Sequence, residues 1–143
     1  MKYLFYIPFL AVCCFVLAQS CSKGPSGSNG DNDPRHFIDN NDTTYPVITI
    51  VKPTVNQVYN TGNTIVVEGT VSDNGLYQGV IKIIADAGST VVKQQAYEIH
   101  GQPGYNFSIS HIAGAAGDYT VSAEFEDHGL NKTVKTVKIK VNP

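Results

Sequence analysis

Acidic side chains stand in the turn-like segments of this sequence, and their oxygen atoms are the ligands that calcium prefers. Asp39, Asp42, Asp73 and Asp127 each lie within two positions of an Asn or a Gly. Calcium takes roughly six to eight oxygen ligands, so a fold that gathers these four carboxylates predicts a calcium site. The alternative is that Asp, Asn and Gly are present because they form turns, with no cofactor bound. The sequence leaves both interpretations open.

Histidines and tyrosines form a second set of candidate binding residues. His100 and His128 fall in predicted loops, where imidazole and carboxylate together could hold a transition metal. Tyr77 lies in a loop and Tyr97 on a weak strand, so either ring could stack on a sugar or anchor a protein interface. These four residues are the possible ligand surface, and solvated loop positions are the alternative interpretation.

Catalytic motifs are missing from the sequence. It contains no Gly-x-Ser-x-Gly, no Gly-rich phosphate loop and no His-Glu-x-x-His. Ser110 and His111 are neighbours in a predicted strand, so their side chains diverge. Glu124 and Glu126 share one face of a strand about 7 Å apart, but exposed carboxylates on strands usually serve solvation. We therefore predict that the protein is not an enzyme.

Apolar and polar residues alternate with period two from Tyr45 onward, which is typical of β-strands. Gly69 falls on a predicted inner face, where it would leave room for a bulky residue of a facing sheet. Turn residues recur about every ten positions, which indicates a single all-β, antiparallel β-sandwich. The seven predicted strands are 47–51, 64–72, 79–85, 91–99, 105–109, 117–126 and 137–141. Their inward residues include Ile65, Val67, Val71, Tyr119, Val121, Ala123, Phe125, Val137, Ile139 and Val141.

Composition and charge exclude several classes of protein. The chain has 143 residues, of which 42% are hydrophobic and 15% charged, so it is not a disordered polypeptide. A formal charge of -2 gives no basic surface for a nucleic acid. The length fits one ordinary domain.

Three segments resemble bacterial immunoglobulin-like or fibronectin type III-like domains. They are Pro46-Val47-Ile48-Thr49-Ile50, the stretch from Gly62 to Asp73, and Gly117-Asp118-Tyr119 with Asp127-His128-Gly129. The resemblance covers roughly residues 45–143 and implies an immunoglobulin-like sandwich. It also implies a tyrosine corner, in which the Tyr119 hydroxyl bonds back to the preceding corner. Because this fold hosts many unrelated activities, the resemblance leaves the function open.

The implied topology brings the candidate residues together. In an immunoglobulin-like sandwich, the start of the first strand lies at the same end as the second-to-third and sixth-to-seventh loops. We therefore expect the four aspartates to gather at that end with Asn74 and Glu126, and His100 and His128 to lie near them.

The N-terminal segment is typical of a signal peptide over residues 1–20. Lys2 supplies the positive charge, and the apolar run 3–18 would span about 24 Å as a helix, too short to cross a membrane. The segment ends Leu17-Ala18-Gln19-Ser20-Cys21, which resembles the lipobox of bacterial lipoproteins. Cys21 is then the acylated N-terminus of the mature protein. Ordinary cleavage after Ser20, leaving a free Cys21 thiol, is the alternative.

The resemblance to lipoproteins implies a membrane-anchored domain organisation. Ser22 after the cysteine matches the sorting rule for the outer membrane, and acyl chains on Cys21 would hold the protein there. Residues 21–44 are expected to be the lipidated cysteine and a flexible tether, and 45–143 the sandwich. Only His36-Phe37-Ile38 interrupts the tether with apolar residues that could dock. The predicted function is binding of an envelope protein or glycan, with a structural spacer or a calcium-stabilised adhesion module as alternatives.

Overall fold

The computed structural model describes residues 35–143. The predicted signal peptide, Cys21 and the predicted tether up to residue 34 lie outside the described residues. A three-residue 3-10 turn, Ala87–Ser89, joins the third and fourth strands, and no helix in the described range is long and apolar enough to span a membrane. The six strands are β1 (Val47–Lys52), β2 (Gln57–Asn60), β3 (Thr64–Ala85), β4 (Thr90–Ile112), β5 (Gly117–Asp127) and β6 (Lys132–Asn142).

One hydrogen-bonded sheet folds over on itself to make the two layers of the sandwich. The first half of β3, 64–72, pairs with β1 and with 104–112 of β4. The second half of β3, 76–85, pairs with β5 and with the first half of β4. β5 continues to β6, which β2 extends in parallel. The long β3–β4 hairpin therefore belongs to both layers.

The strand count differs from the seven that the sequence predicts. The predicted strands 64–72 and 79–85 are the two halves of β3, and 91–99 and 105–109 are parts of β4. The turn expected at 72–75 is an irregularity, since the register shifts between Ser72 and Leu76 while the chain stays extended. β2 was not predicted because four residues are too short for a clear alternation.

The core lies between the layers and confirms the predicted inward residues. The alternating residues of β3, β5 and β6 are buried, with Ile65, Val67, Val121, Ala123 and Phe125 having no exposed surface. Gly69 is also buried, but the aromatic ring over it comes from the neighbouring strand β4 rather than from a facing sheet. A Cβ atom on Gly69 would collide with the Phe107 ring and with the Thr49 carbonyl oxygen.

Residues 36–44 pack onto the sandwich, and we call this segment the strap. The Asp39 amide donates to the carbonyl oxygen of His128 at 2.8 Å, and the Asn131 side-chain amide donates to the Asp42 carbonyl at 3.1 Å. The sequence places these residues in a flexible tether ending at residue 44. The docked part differs from that expectation because its backbone finds hydrogen-bond partners in the 127–131 loop.

Candidate functional site

Three of the four predicted calcium ligands meet at one end of the sandwich, which we call the loop end. Asp42 lies on the strap, Asp73 at the irregularity of β3, and Asp127 at the end of β5. Each offers a carboxylate oxygen, and these oxygens lie within 4.8 Å of one another. Asp39 is not in this cluster, and its carboxylate instead accepts a hydrogen bond from the Asn41 amide at 3.0 Å.

Each clustered carboxylate also has hydrogen-bond donors of its own. The buried Asp127 accepts from the Asn131 backbone and side-chain amides at 2.8 and 3.0 Å. Asp73 accepts from the Gly75 amide at 3.1 Å, and Asp42 accepts from the hydroxyl and amide of Thr44 at 2.6 and 2.9 Å. These bonds are the ones that turns make, so the turn interpretation accounts for the cluster without a metal.

The electrostatics of the cluster separate two of its members. The Thr44 hydroxyl and amide lower the pKa of Asp42, because they stabilise its charged form. Burial raises the pKa of Asp73, and the neighbouring charges of Asp127 and Asp42 raise it further. Burial first, and then the charges of its two neighbours, therefore disfavour the charged form of Asp73.

A cluster of aromatic and imidazole rings lies at the same end. Phe37 stacks on His128 with ring centres 4.4 Å apart and planes at 5°. His36 stacks on His100 at 4.8 Å, and Tyr77 lies 5.0 Å from His128 and 5.5 Å from His100. The structure therefore brings together Tyr77, His100 and His128 of the predicted ligand surface. The strap residues His36 and Phe37 complete the cluster. Their sequence signal is the short apolar segment His36-Phe37-Ile38 in an otherwise polar tether.

The other predicted ligand residue, Tyr97, makes its ring contacts elsewhere. Its ring is half-buried, 5.4 Å from that of Tyr105 and 6.4 Å from that of Phe125. Its hydroxyl donates to the Ser108 carbonyl oxygen at 3.3 Å. Tyr97 packs between β4 and the core residue Phe125, so its ring is not free to stack on a ligand.

Tyr119, the residue expected to form a tyrosine corner, is buried near the start of β5. Its hydroxyl donates a hydrogen bond to the carbonyl oxygen of Ala115, 2.9 Å away in the preceding corner. The bond ties the corner between β4 and β5 to the core, far from the residues of the loop end.

Among the described residues, the two glutamates of β5 and the Ser110–His111 pair do not form an acid–base pair with each other. Glu124 and Glu126 both pair with Lys132, at 2.9 and 3.4 Å, on the outer face of β5. Ser110 is exposed whereas the adjacent His111 is half-buried, as expected for neighbours in a strand. A groove of about 240 Å³ runs beside the glutamates, and Gln78, Lys82 and Gln94 are among the residues that line it.

The fold and the loop end define an immunoglobulin-like β-sandwich protein. Residues 46–123 match the family model described as the bacterial Ig domain. Because the match covers more than half of the chain, the chain belongs to the bacterial Ig domain family.

Comparison with curated proteins finds no match, whereas solved structures share the fold. An engineered protein is 16% identical with a TM-score of 0.51, and the alignment covers 68% of this chain but 20% of that protein. The fibronectin(III)-like modules of Clostridium thermocellum CbhA are 15% identical, with a TM-score of 0.48 and coverages of 67% and 96%. CopC from Methylosinus trichosporium OB3b is 16% identical, with a TM-score of 0.48 and coverages of 68% and 95%. At these identities the likeness concerns the fold alone.

Proposed function

We propose that this chain is a lipid-anchored, non-catalytic module of the cell envelope that binds a protein partner along the free edge of β4. The anchor is the acylated Cys21, in the outer membrane. The observation that carries the proposal is the unpaired side of β4, a strand of 23 residues. An unpaired strand edge exposes backbone donors and acceptors that another extended chain can bind.

The other two edge strands among the described residues, β1 and β2, have only six and four residues, which distinguishes the β4 edge. β2 pairs with the last residues of β6, and the Lys135 ammonium donates to the Ile48 carbonyl of β1 at 3.1 Å. In the described part of the chain, β4 pairs with β3 alone. A partner strand would therefore add at β4.

The second half of β4 lacks the usual protection of an edge strand. Residues 105–112 contain no Gly, Pro, Lys, Arg, Asp or Glu. Lysine, proline and bulges are the residues and features with which proteins normally blunt an edge. The buried Phe107 and Ile109 alternate with the exposed Ser108 and Ser110, so the segment is regular enough to template a strand.

A protein partner fits these features better than a glycan. Sugar rings bind on exposed aromatic faces, but Tyr77 and Tyr97 are both half-buried and packed against other rings. Strand addition, in contrast, needs only backbone groups for affinity and side-chain alternation for specificity.

Photocrosslinking from the edge in the native envelope tests the binding proposal. A photoreactive residue at Ser110 is expected to give a protease-sensitive adduct, whereas one at Thr70, exposed on the interior strand β3, is not. Ser108→Lys should abolish the adduct and Thr49→Lys on β1 should preserve it. Equal adducts from both positions, or an adduct removed only by glycan-cleaving enzymes, would contradict strand addition.

The intact mass of the protein extracted from membranes tests the anchor separately. The expected species begins at Cys21 and carries acyl chains. A species that begins at Cys21 without added acyl mass would refute lipidation and leave the edge proposal standing.

A further inference from the structure

His128 presents a buried nitrogen that no polar atom of residues 35–143 satisfies. The residue is 4% exposed, and its ring Nδ1 lies 2.7 Å from the Phe37 carbonyl oxygen. Because a carbonyl oxygen only accepts, Nδ1 carries the proton of the neutral ring. Nε2 then holds a lone pair, and it is buried without a hydrogen-bond partner.

His100 has a looser arrangement with its two nitrogens exchanged, because its polar neighbour lies beyond hydrogen-bond distance. Its Nε2 lies 3.8 Å from a carboxylate oxygen of Glu98, and its side chain is 12% exposed. The proton is favoured on the nitrogen that faces this negative charge. Nδ1 is then the lone-pair nitrogen, and it too is buried without a partner.

We propose that Nδ1 of His100 and Nε2 of His128 bind a divalent transition-metal ion such as Zn²⁺, Cu²⁺ or Ni²⁺. A metal-ligating histidine almost always directs its other ring nitrogen at a carbonyl or carboxylate, which fixes the tautomer and orients the ring. His128 meets this condition through a hydrogen bond at 2.7 Å, and His100 approaches it with a carboxylate oxygen at 3.8 Å. Imidazole ligands select these metals over calcium and magnesium, which take oxygen.

The separation of the rings suits a shared ion after a small movement. The ring centres lie 6.3 Å apart. Two imidazoles bound at about 2.0–2.1 Å have ring centres about 5 Å apart in tetrahedral geometry and about 6 Å apart on opposite sides of the ion. A closure of about 1 Å therefore reaches the tetrahedral arrangement. Water would fill the remaining positions of the ion.

The surroundings of the two rings favour a cation. Asp127 directly precedes His128 in the chain, and its carboxylate belongs to the acidic cluster with Asp42 and Asp73. Clustered negative charge raises the local concentration of cations. The Phe37 and Tyr77 rings on His128 exclude water from its side, which strengthens the metal–ligand interaction.

Calorimetry and melting of the full-length chain with Zn²⁺ and Cu²⁺ test the site. One ion per chain and a rise in Tm of about 5 °C at excess metal are expected. His128→Asn keeps an amide near Nδ1 for the Phe37 carbonyl, and His100→Gln keeps one near Nε2 for Glu98. Each removes the lone-pair nitrogen together with the ring, and should weaken binding at least about tenfold. His111→Gln, in β4 and outside the ring cluster, is the matched control and should bind normally.

Electron paramagnetic resonance of the Cu²⁺-loaded wild-type protein gives a measurement that does not depend on variant folding. Hyperfine coupling to two imidazole nitrogens is expected. A spectrum without imidazole coupling, or affinity unchanged in both His128→Asn and His100→Gln, overturns the proposal. His100 lies in β4, but residues 105–112, which carry the edge proposal, are not part of this site. Failure of the metal proposal would therefore leave the proposed function intact.

Discussion

The charged carboxylate of Asp73 lowers the stability of the folded state, because it is partly buried and lies near two other carboxylates. Its pKa is raised by burial and by the charges of Asp127 and Asp42, so its charged form is disfavoured in the folded chain. A raised carboxyl pKa means that the folded state loses stability as the pH rises through that pKa. We expect Asp73→Asn to raise Tm at pH 7 in the presence of chelator, because the amide oxygen can still accept from Gly75. The gain should shrink as the pH falls through the raised folded-state pKa and should be lost below about 4.

Thermal melts of both proteins from pH 3 to pH 8 check this prediction. A lower Tm for Asp73→Asn at pH 7 with chelator present would contradict it. The same melts with added calcium test the calcium alternative, since a carboxylate-bound ion would stabilise the wild type and not the variant.

Individual residues differed in how far the sequence could place them. The Asp42, Asp73 and Asp127 carboxylates could be expected to meet because the topology puts their turns at one end. The exclusion of Asp39 could not, since it depends on a local bond to the Asn41 amide. The sequence predicts that His100 and His128 lie near this end, but not that the strap residues His36 and Phe37 stack on them.

Gly69 shows how the close packing of β1, β3 and β4 depends on one missing side chain. A Cβ there would collide with the Thr49 carbonyl and the Phe107 ring, neither of which can move cheaply in a paired sheet. We expect Gly69→Ala to lower the free energy of unfolding by about 1–3 kcal/mol.

Gly75→Ala is the matched control, because a Cβ at Gly75 meets nothing within 4 Å. Its free energy of unfolding should stay within about 0.5 kcal/mol of the wild-type value. Urea denaturation of both variants gives the comparison. Similar losses of unfolding free energy in the two variants would show that the backbone flexibility of glycine, and not the contact with Phe107, determines the effect.

Asp86 links the corner after β3 to β5 and β6. The Lys138 ammonium at 2.7 Å, and then the Thr120 hydroxyl at 2.6 Å, lower its pKa. A lowered carboxyl pKa gives stability that is present above about pH 4 and lost as the pH falls through the folded-state value. We expect Asp86→Asn to cost about 1 kcal/mol at pH 7 and to flatten the acid limb of the stability curve.

Chemical denaturation as a function of pH measures this effect. Lys138→Gln should flatten the acid limb as well, and Lys140→Gln, two positions along β6, controls for the loss of a lysine charge from the same face. An acid limb equally steep in the wild type and in Asp86→Asn would rule out the link.

At the scale of elements, alternation predicted which residues face inward but not where strands end. Val121 and Phe125 are fully buried, as their spacing indicates. The Asp-Asn-Gly stretch at 73–75 looks like a tight turn, yet β3 runs through it because each side pairs with β4. Whether such a stretch turns or bulges is decided by partner strands far away in sequence.

The strap connects the domain to the chain that precedes it. Phe37 is 57% exposed, yet its ring covers His128, and the next bond in the strap is from the Asp39 amide to the His128 carbonyl. We expect Phe37→Ala to loosen the strap and speed hydrogen exchange at the Asp39 amide. Since the core is untouched, global stability should change by less than about 1 kcal/mol.

Ile38→Ala provides the comparison, because Ile38 is similarly exposed at 55% but has no ring to stack on His128. Hydrogen exchange followed by mass spectrometry should separate the two variants. Equally faster hydrogen exchange at the Asp39 amide in both variants would mean that the stacking of Phe37 on His128 does not hold the strap.

The bonding of the strap has a mechanical consequence. Force applied from the N-terminal side reaches the contacts of residues 36–44 before it reaches any strand. Those few contacts can separate one after another while the strand ladders of the sandwich remain whole. Straightened, nine residues span about 30 Å, so the strap can lengthen under tension by less than that distance and return while the sandwich stays folded.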